Sequence, residues 1–246
     1  MITQKIKSKI NNFIDSQQFN PTFLGIFVNP FYLARNGLSC AIKNFSSELS
    51  GKILDVGCGT MPYRSLFNSV DNYVGLEISR DGFLGEKDGK YYYDGKQFPF
   101  DDNVFDGILC NQVLEHVFNP DEFLQEMKRV IKPGGRILLT IPFVWDEHEH
   151  PYDYARYSTF GLKALLEKQG LMWVRHQKIR PDISTVFQLL NAYLYKITEK
   201  IPYRFKLILY ATVMSSVSLF GLLLSKLLPP NPDLFLDHIV LIEKNQ

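Results

Sequence analysis

Lys52-Ile53-Leu54-Asp55-Val56-Gly57-Cys58-Gly59-Thr60-Met61-Pro62 is the stretch on which the fold turns. Its first half is a short apolar run of the kind that forms a buried strand, and two glycines spaced by one residue end it in a tight turn. Gly57 and Gly59 let the backbone approach a ligand with no Cβ in the way. Pro62 suits the first position of a helix, where a missing N–H costs nothing. A short helix over Tyr63–Asn68 is therefore expected, followed by a second strand at 72–79 (NYVGLEIS). Strand, glycine turn, helix, strand is the opening unit of a doubly wound sheet, and the helix N-terminus beside such a turn favours negative charge.

The same rhythm continues outward. Residues 104–110 (VFDGILC) and 135–143 (GRILLTIPF) read as buried strands. Between them Asn119 is placed as an N-cap, Pro120 as the first helical residue, and Asp121, Glu122, Lys128 and Arg129 complement the helix dipole. Phe123, Leu124, Met127, Val130 and Ile131 fall on one face. Pro133-Gly134-Gly135 stops this helix. A further helix is expected from Ser158 to Gln169, closed by Gly170, and a strand at 171–179 follows. The rhythm breaks at about 183–228, where Val186, Leu190, Tyr193, Leu194, Ile197 and Ile201 share a helical face and 207–225 contains no charge. Asp237–Lys244 returns as the last strand.

With 246 residues the chain is long enough for one sizeable core with additions. A formal net charge of +1 gives no broad attraction to nucleic acid, so none is expected as a partner. Local basic runs at Lys5, Lys7 and Lys9, and at Lys196, Lys200, Arg204 and Lys206, read as solvated faces. Cys40, Cys58 and Cys110 show no CxxC pairing, so neither a disulfide framework nor a metal site is expected. The opening stretch MITQKIKSKINNFIDS is amphipathic and lacks the continuous apolar run of a secretory signal, so a cytoplasmic location is expected.

The chemistry begins with Glu77, eighteen residues beyond Gly59 at the tip of the second strand, where a carboxylate can accept from both hydroxyls of a ribose. A dinucleotide would need a third glycine where Pro62 stands, which disfavours an NAD-linked oxidoreductase. ILDVGCGT resembles the first motif of the class I S-adenosylmethionine (SAM) dependent methyltransferases. Tyr93-Asp94-Gly95, then Phe98-Pro99-Phe100-Asp101-Asp102-Asn103-Val104-Phe105-Asp106, Asn111-Gln112-Val113-Leu114-Glu115-His116-Val117 and Lys132-Pro133-Gly134-Gly135-Arg136 resemble later motifs of the same family, in its order. Where the family commonly has a further glycine, this chain has Met61.

The resemblance implies a Rossmann-like, doubly wound, mostly parallel seven-stranded sheet. A methyltransferase domain over 51–246 would carry an N-terminal helical arm (1–50) and the insertion at about 183–228. It implies SAM as cofactor, with Asp55, Gly57, Gly59, Glu77, Asp94 and Asn111 in its site. Glu77 would hold the ribose and Asp94 the adenine amino group, while backbone near Asn111 would face the methionine part.

Methyl transfer needs a base only when the acceptor is a poor nucleophile such as a hydroxyl. Trp145–Tyr157 leaves the carboxyl edge of the sheet and resembles the HExPxDYxRxT stretch of bacterial methyltransferases of surface-glycan pathways. His148 is the candidate base, with Asp153 and Arg156 as orienting groups or acceptor ligands. His148-Glu149-His150 lacks the spacing of a helical metal motif, and no metal is expected. His116 reads equally as a packed residue or a catalytic one. The expected function is methylation of a small-molecule, glycan or lipid-linked acceptor, the alternative being an inactive SAM-fold partner module. The insertion is expected to lie over the acceptor pocket and meet a membrane, with packing on its own domain or a homodimer interface as the plainer outcomes.

Overall fold

The computed structural model describes residues 13–67 and 70–245. The basic run Lys5, Lys7 and Lys9, and Asn68 at the end of the first expected helix, lie outside these. Among the described residues the chain divides into two compact units, one holding the segment up to Cys40 together with Lys178–Leu236, the other Ala41–Gln177 with Asp237–Gln246.

The second unit is built on an eight-stranded sheet. Its strands are β1 (Gly51–Val56), β2 (Val70–Ile78), β3 (Gly85–Lys87), β4 (Lys90–Tyr93), β5 (Phe105–Asn111), β6 (Ile131–Pro142), β7 (Leu171–Ile179) and β8 (Asp237–Lys244), in the order β3-β4-β2-β1-β5-β6-β8-β7. The pairs β4·β2, β2·β1, β1·β5 and β5·β6 are parallel, whereas β3·β4 and β6·β8 are antiparallel. The eighth strand, one more than the sequence suggested, is β3. It exists because Asp88 (φ 53°) and Gly89 (φ 75°) both adopt the left-handed conformation that a tight hairpin turn demands.

Buried on both faces, β1, β5 and β6 bring Leu54, Val56, Ile108, Cys110, Ile137 and Leu139 into one core. Against it lies α2 (Pro120–Val130), whose Phe123, Leu124, Met127 and Val130 are all buried. Asn119 does not cap this helix through its side chain. Its amide instead donates weakly to Glu122 (3.4 Å). Ser158 does cap α3 (Thr159–Lys168), accepting from the Gly161 amide at 3.1 Å. Gly170 closes α3 at φ 66°. The helix expected after the glycine turn is only a 3₁₀ turn at Arg64–Leu66. A single turn has too few aligned peptides to act as an anion-binding helix end, which corrects that expectation.

In the other unit the first half of α1 (Tyr32–Phe45) meets α4 (Ser184–Ile197) through a buried glutamine. Gln188 accepts from the Ala34 amide (3.1 Å) and donates to the Pro30 carbonyl (3.2 Å). A continuous helix then runs from Tyr203 to Leu227, comprising α5 (Tyr203–Leu209), a π-helical stretch (Tyr210–Met214) and α6 (Ser215–Leu227). Asn191 of α4 donates to the Met214 carbonyl (3.1 Å) and the Ser218 hydroxyl (2.9 Å). At Gly221 a Cβ would come within 2.8 Å of Phe187, so glycine lets the two helices close.

Candidate active site

Parallel strands β1, β2, β4 and β5 end at one edge of the sheet, and ligands of such folds bind outside that edge. The turn after β1 is tied to β2, since the Gly57 and Cys58 amides both donate to the Leu76 carbonyl (2.8 and 3.1 Å). A Cβ on Gly57 would collide with the Val113 side chain, while nothing lies within 4 Å of the Cβ position of Gly59. Open space over Gly59 is what close approach of a ligand requires. Glu77 stands across the turn and accepts from the Gly59 amide at 2.8 Å and from the Ile78 amide at 3.1 Å. An ionised carboxylate can accept about four hydrogen bonds, so two sites remain for a pair of vicinal hydroxyls. Glu77 also lines, with Ile78, Arg80, Asp81 and Tyr92, a cavity of about 440 Å³. These features fit the nucleoside end of SAM.

The other sequence candidates for this site are more occupied. Asp55 is buried, and its carboxylate accepts from the Tyr73 hydroxyl at 2.7 Å. Burial pushes its pKa up to about 7, against the opposing hydrogen bond from Tyr73. It braces the strand beneath the turn. Asp94 follows β4 at the same edge and is exposed, with one oxygen accepting from the Lys96 amide (3.0 Å). Asn111 ends β5, where its side-chain oxygen accepts from the Thr140 hydroxyl (2.8 Å). Met61 takes φ 55°, the left-handed conformation that a glycine would hold without strain.

Beyond β6 the Trp145–Tyr157 loop folds back on the short turn Leu114–His116. Amides of Tyr154 and Ala155 donate to the Glu115 carbonyl (2.8 and 3.2 Å), and His116 Nδ1 meets the Tyr152 carbonyl (2.9 Å). Inside the loop Arg156 grips both oxygens of Asp153 (2.5 and 2.8 Å) and the Asp146 carbonyl (3.2 Å). Asp153 also accepts from the His148 amide (3.0 Å) and lies 3.3 Å from His148 Nδ1. Burial alone would raise the Asp153 carboxyl, but Arg156 and the His148 amide hold it down at about 2. Burial also lowers the His148 pKa, against the Asp146 carbonyl and Asp153, leaving a neutral imidazole near pH 7. The structure thus brings His148, Asp153 and Arg156 together, with Asp153 and Arg156 bracing the loop and orienting the ring.

Glu115 is the residue that the sequence did not single out. It is fully buried, and among the described residues neither carboxylate oxygen meets a donor beyond the amide of its own residue. Burial pushes its pKa up to about 8. Its Oε1 lies 3.8 Å from His116 Nε2, and the His116 and His148 rings meet edge to face with centroids 4.8 Å apart. Its only signal is an acid set inside the apolar run Val113-Leu114-Glu115-His116-Val117.

Residues 54–139 match the family model described as a methyltransferase domain. An uncharacterized protein of Methanocaldococcus jannaschii is 37% identical over 94 residues, covering 37% of this chain and 44% of that protein. The ubiquinone/menaquinone biosynthesis C-methyltransferase UbiE of Burkholderia mallei is 32% identical over 117 residues, covering 42% of this chain and 48% of that protein. The chain therefore spans less than half the length of these curated relatives. Among solved structures, Haemonchus contortus phosphoethanolamine N-methyltransferase 2, in complex with phosphomonomethylethanolamine and S-adenosylhomocysteine, superposes with a TM-score of 0.56 at 16% identity. That superposition covers 95% of this chain and 57% of that one. At such identity the likeness establishes the fold.

Proposed function

We propose that the protein methylates a hydroxyl of a lipid-linked acceptor held at the Trp145–Tyr157 loop, through the class I SAM-dependent methyltransferase domain that its α/β unit forms. When bound, SAM supplies an electrophilic methyl on a sulfonium. The protein's own part is to set the acceptor in line and keep water away, and orientation of this kind is worth roughly 7–11 kcal/mol. Glu77 receives the ribose hydroxyls over the open face of Gly59, with Asp94 toward the adenine and the backbone at Asn111 toward the methionine. Asp55 holds the strand from which Gly57 and Gly59 turn.

The observation that carries the acceptor reading is the state of His148. A neutral imidazole whose Nδ1 faces the Asp146 carbonyl and the Asp153 carboxylate has its Nε2 lone pair ready for a hydroxyl proton. Only an amine already in its free-base form would not need it. The lipid-linked class is favoured by Tyr203–Leu227, a helix of 25 residues long and apolar enough to cross a membrane, with only 28% of its most apolar window buried. Exposed Phe205, Ile208, Phe220, Leu223 and Leu227, with Arg204, Lys206 and Lys226 close by, suit docking along an anionic surface. Such docking would place the protein at the cytoplasmic face of a membrane.

The test is transfer of a labelled methyl from SAM into the lipid and aqueous fractions of an extract from the source organism. Label is expected in the lipid fraction and to fall by roughly 10²–10⁴ in His148→Ala, with SAM affinity kept. Label in neither fraction from a protein that binds SAM would overturn the reading.

A further inference from the structure

We propose that Glu115, His116 and His148 bind one divalent transition-metal ion, of the zinc type by the chemistry of the donors. The three ligand atoms come from two segments, the turn after β5 and the loop after β6, and lie within 4.8 Å of one another. Sequence spacing could not reveal the set, because the whole of α2 and β6 separates His116 from His148 along the chain.

Two independent features point to a cation. Glu115 is fully buried and, among the described residues, both its oxygens lack any donor beyond its own amide, and leaving a buried carboxylate so is costly. His148 already has a carboxylate in Asp153, so Glu115 is not needed to orient it. The second feature is the state of the two rings. His116 Nδ1 faces the Tyr152 carbonyl (2.9 Å) and His148 Nδ1 faces the Asp146 carbonyl (3.2 Å). With each Nδ1 turned to a carbonyl, and the Arg156 Nη2 also 3.5 Å from that of His148, each Nε2 is the nitrogen left to ligate an ion. Outer hydrogen bonds of this kind are what orient imidazole ligands around a metal. Arg156 attracts Glu115 through space but makes no hydrogen bond to it, its Nη1 and Nη2 being taken up by both oxygens of Asp153 (2.5 and 2.8 Å).

Two imidazoles and one carboxylate are the donors of a catalytic zinc site with a fourth position open. Magnesium and calcium prefer all-oxygen sets. Bonds of about 2.0–2.1 Å place tetrahedral ligands roughly 3.4 Å apart, so ligand atoms now within 4.8 Å must draw in by up to about 1.4 Å. Resting on the methyltransferase reading, the open position would take the acceptor's oxygen. An ion on His148 Nε2 occupies the lone pair that would otherwise take the hydroxyl proton, so His148 is the base only in the metal-free protein. In the loaded protein the ion itself would lower the pKa of the hydroxyl, whose proton leaves to water.

The experiment titrates Zn²⁺, and Co²⁺ as a visible probe, into full-length protein freed of metal by chelator. One ion per chain is expected, with the intense visible absorption of four-coordinate cobalt. Affinity should weaken at least about tenfold in Glu115→Gln and in His148→Ala. The exposed neighbour His150→Ala should bind as the unaltered protein does. No uptake at micromolar ion, or equal uptake by Glu115→Gln and His148→Ala, would overturn the site. SAM titration of the same metal-free samples verifies that the variants are folded. Loss of SAM binding in the unaltered protein would count against the methyltransferase reading and not against the ion site.

Discussion

At the scale of single residues, two positions in the glycine turn carry measurable consequences. Met61 sits at φ 55° with its side chain against Gly75. A left-handed L-residue costs about 1–2 kcal/mol, so Met61→Gly should be more stable than Met61→Ala by about 1 kcal/mol, since both lose the side chain and only glycine releases the strain. Denaturant unfolding of the pair reads this directly, and a more stable alanine variant would show the turn to be unstrained. Asp55 supplies a pH signature. Its folded pKa of about 7 lies above the ordinary carboxylate value, so folding takes up a proton between about pH 4 and 7. Stability from this group is fully present below the unfolded pKa and is lost as pH rises through about 7. Asp55→Asn, which can still accept from Tyr73, should remove that slope and exceed the unaltered protein at pH 8, by on the order of 2–4 kcal/mol. An unchanged slope in thermal melts across that range would show that Asp55 is ionised in the fold. The strain at Met61 was legible in the sequence as the place of a missing glycine. The partners of Asp55 were not, because Tyr73 reaches it across a parallel strand pair whose register no local pattern records.

At the scale of elements, the legible parts were those whose signals are local. Periodicity placed α2 and α3, and apolar runs placed β1, β5 and β8. The Asp88-Gly89 hairpin had its signal too, but its strands are short and all their residues except Tyr93 are half exposed or exposed, so they lack the apolar alternation that marks a strand. Helix length after the glycine turn could not be read, since a proline and a few polar residues serve a 3₁₀ turn equally well. The loop Trp145–Tyr157 was legible as a set of chemical groups. Its attachment to Glu115 depends on tertiary contact alone. For the helix Tyr203–Leu227, flotation with anionic liposomes is the relevant test. Binding is expected, and it should weaken on Phe220→Glu or Leu223→Glu, which place a charge on the exposed face. A protein that stays with the soluble fraction, with this helix protected in a dimer, would contradict the membrane reading and leave the methyltransferase reading in place.

At the scale of the whole molecule, the chain leaves the sheet unit after Gln177 and re-enters it at Asp237. The intervening helices join the segment before Ala41 into the other, helical unit, through contacts such as Gln188 with Ala34 and Pro30. No single-sequence pattern reports a pairing that distant. Everything proposed for methyl transfer rests on the sheet unit holding SAM with Glu77 at its ribose, and calorimetric titration of SAM into metal-free protein and its Glu77→Ala variant tests that most directly. Charge-assisted hydrogen bonds contribute roughly 1.5–3 kcal/mol each, so the variant should bind at least about tenfold more weakly while melting at a similar temperature. Equal affinity in the two proteins, or no SAM binding by either, would contradict the account.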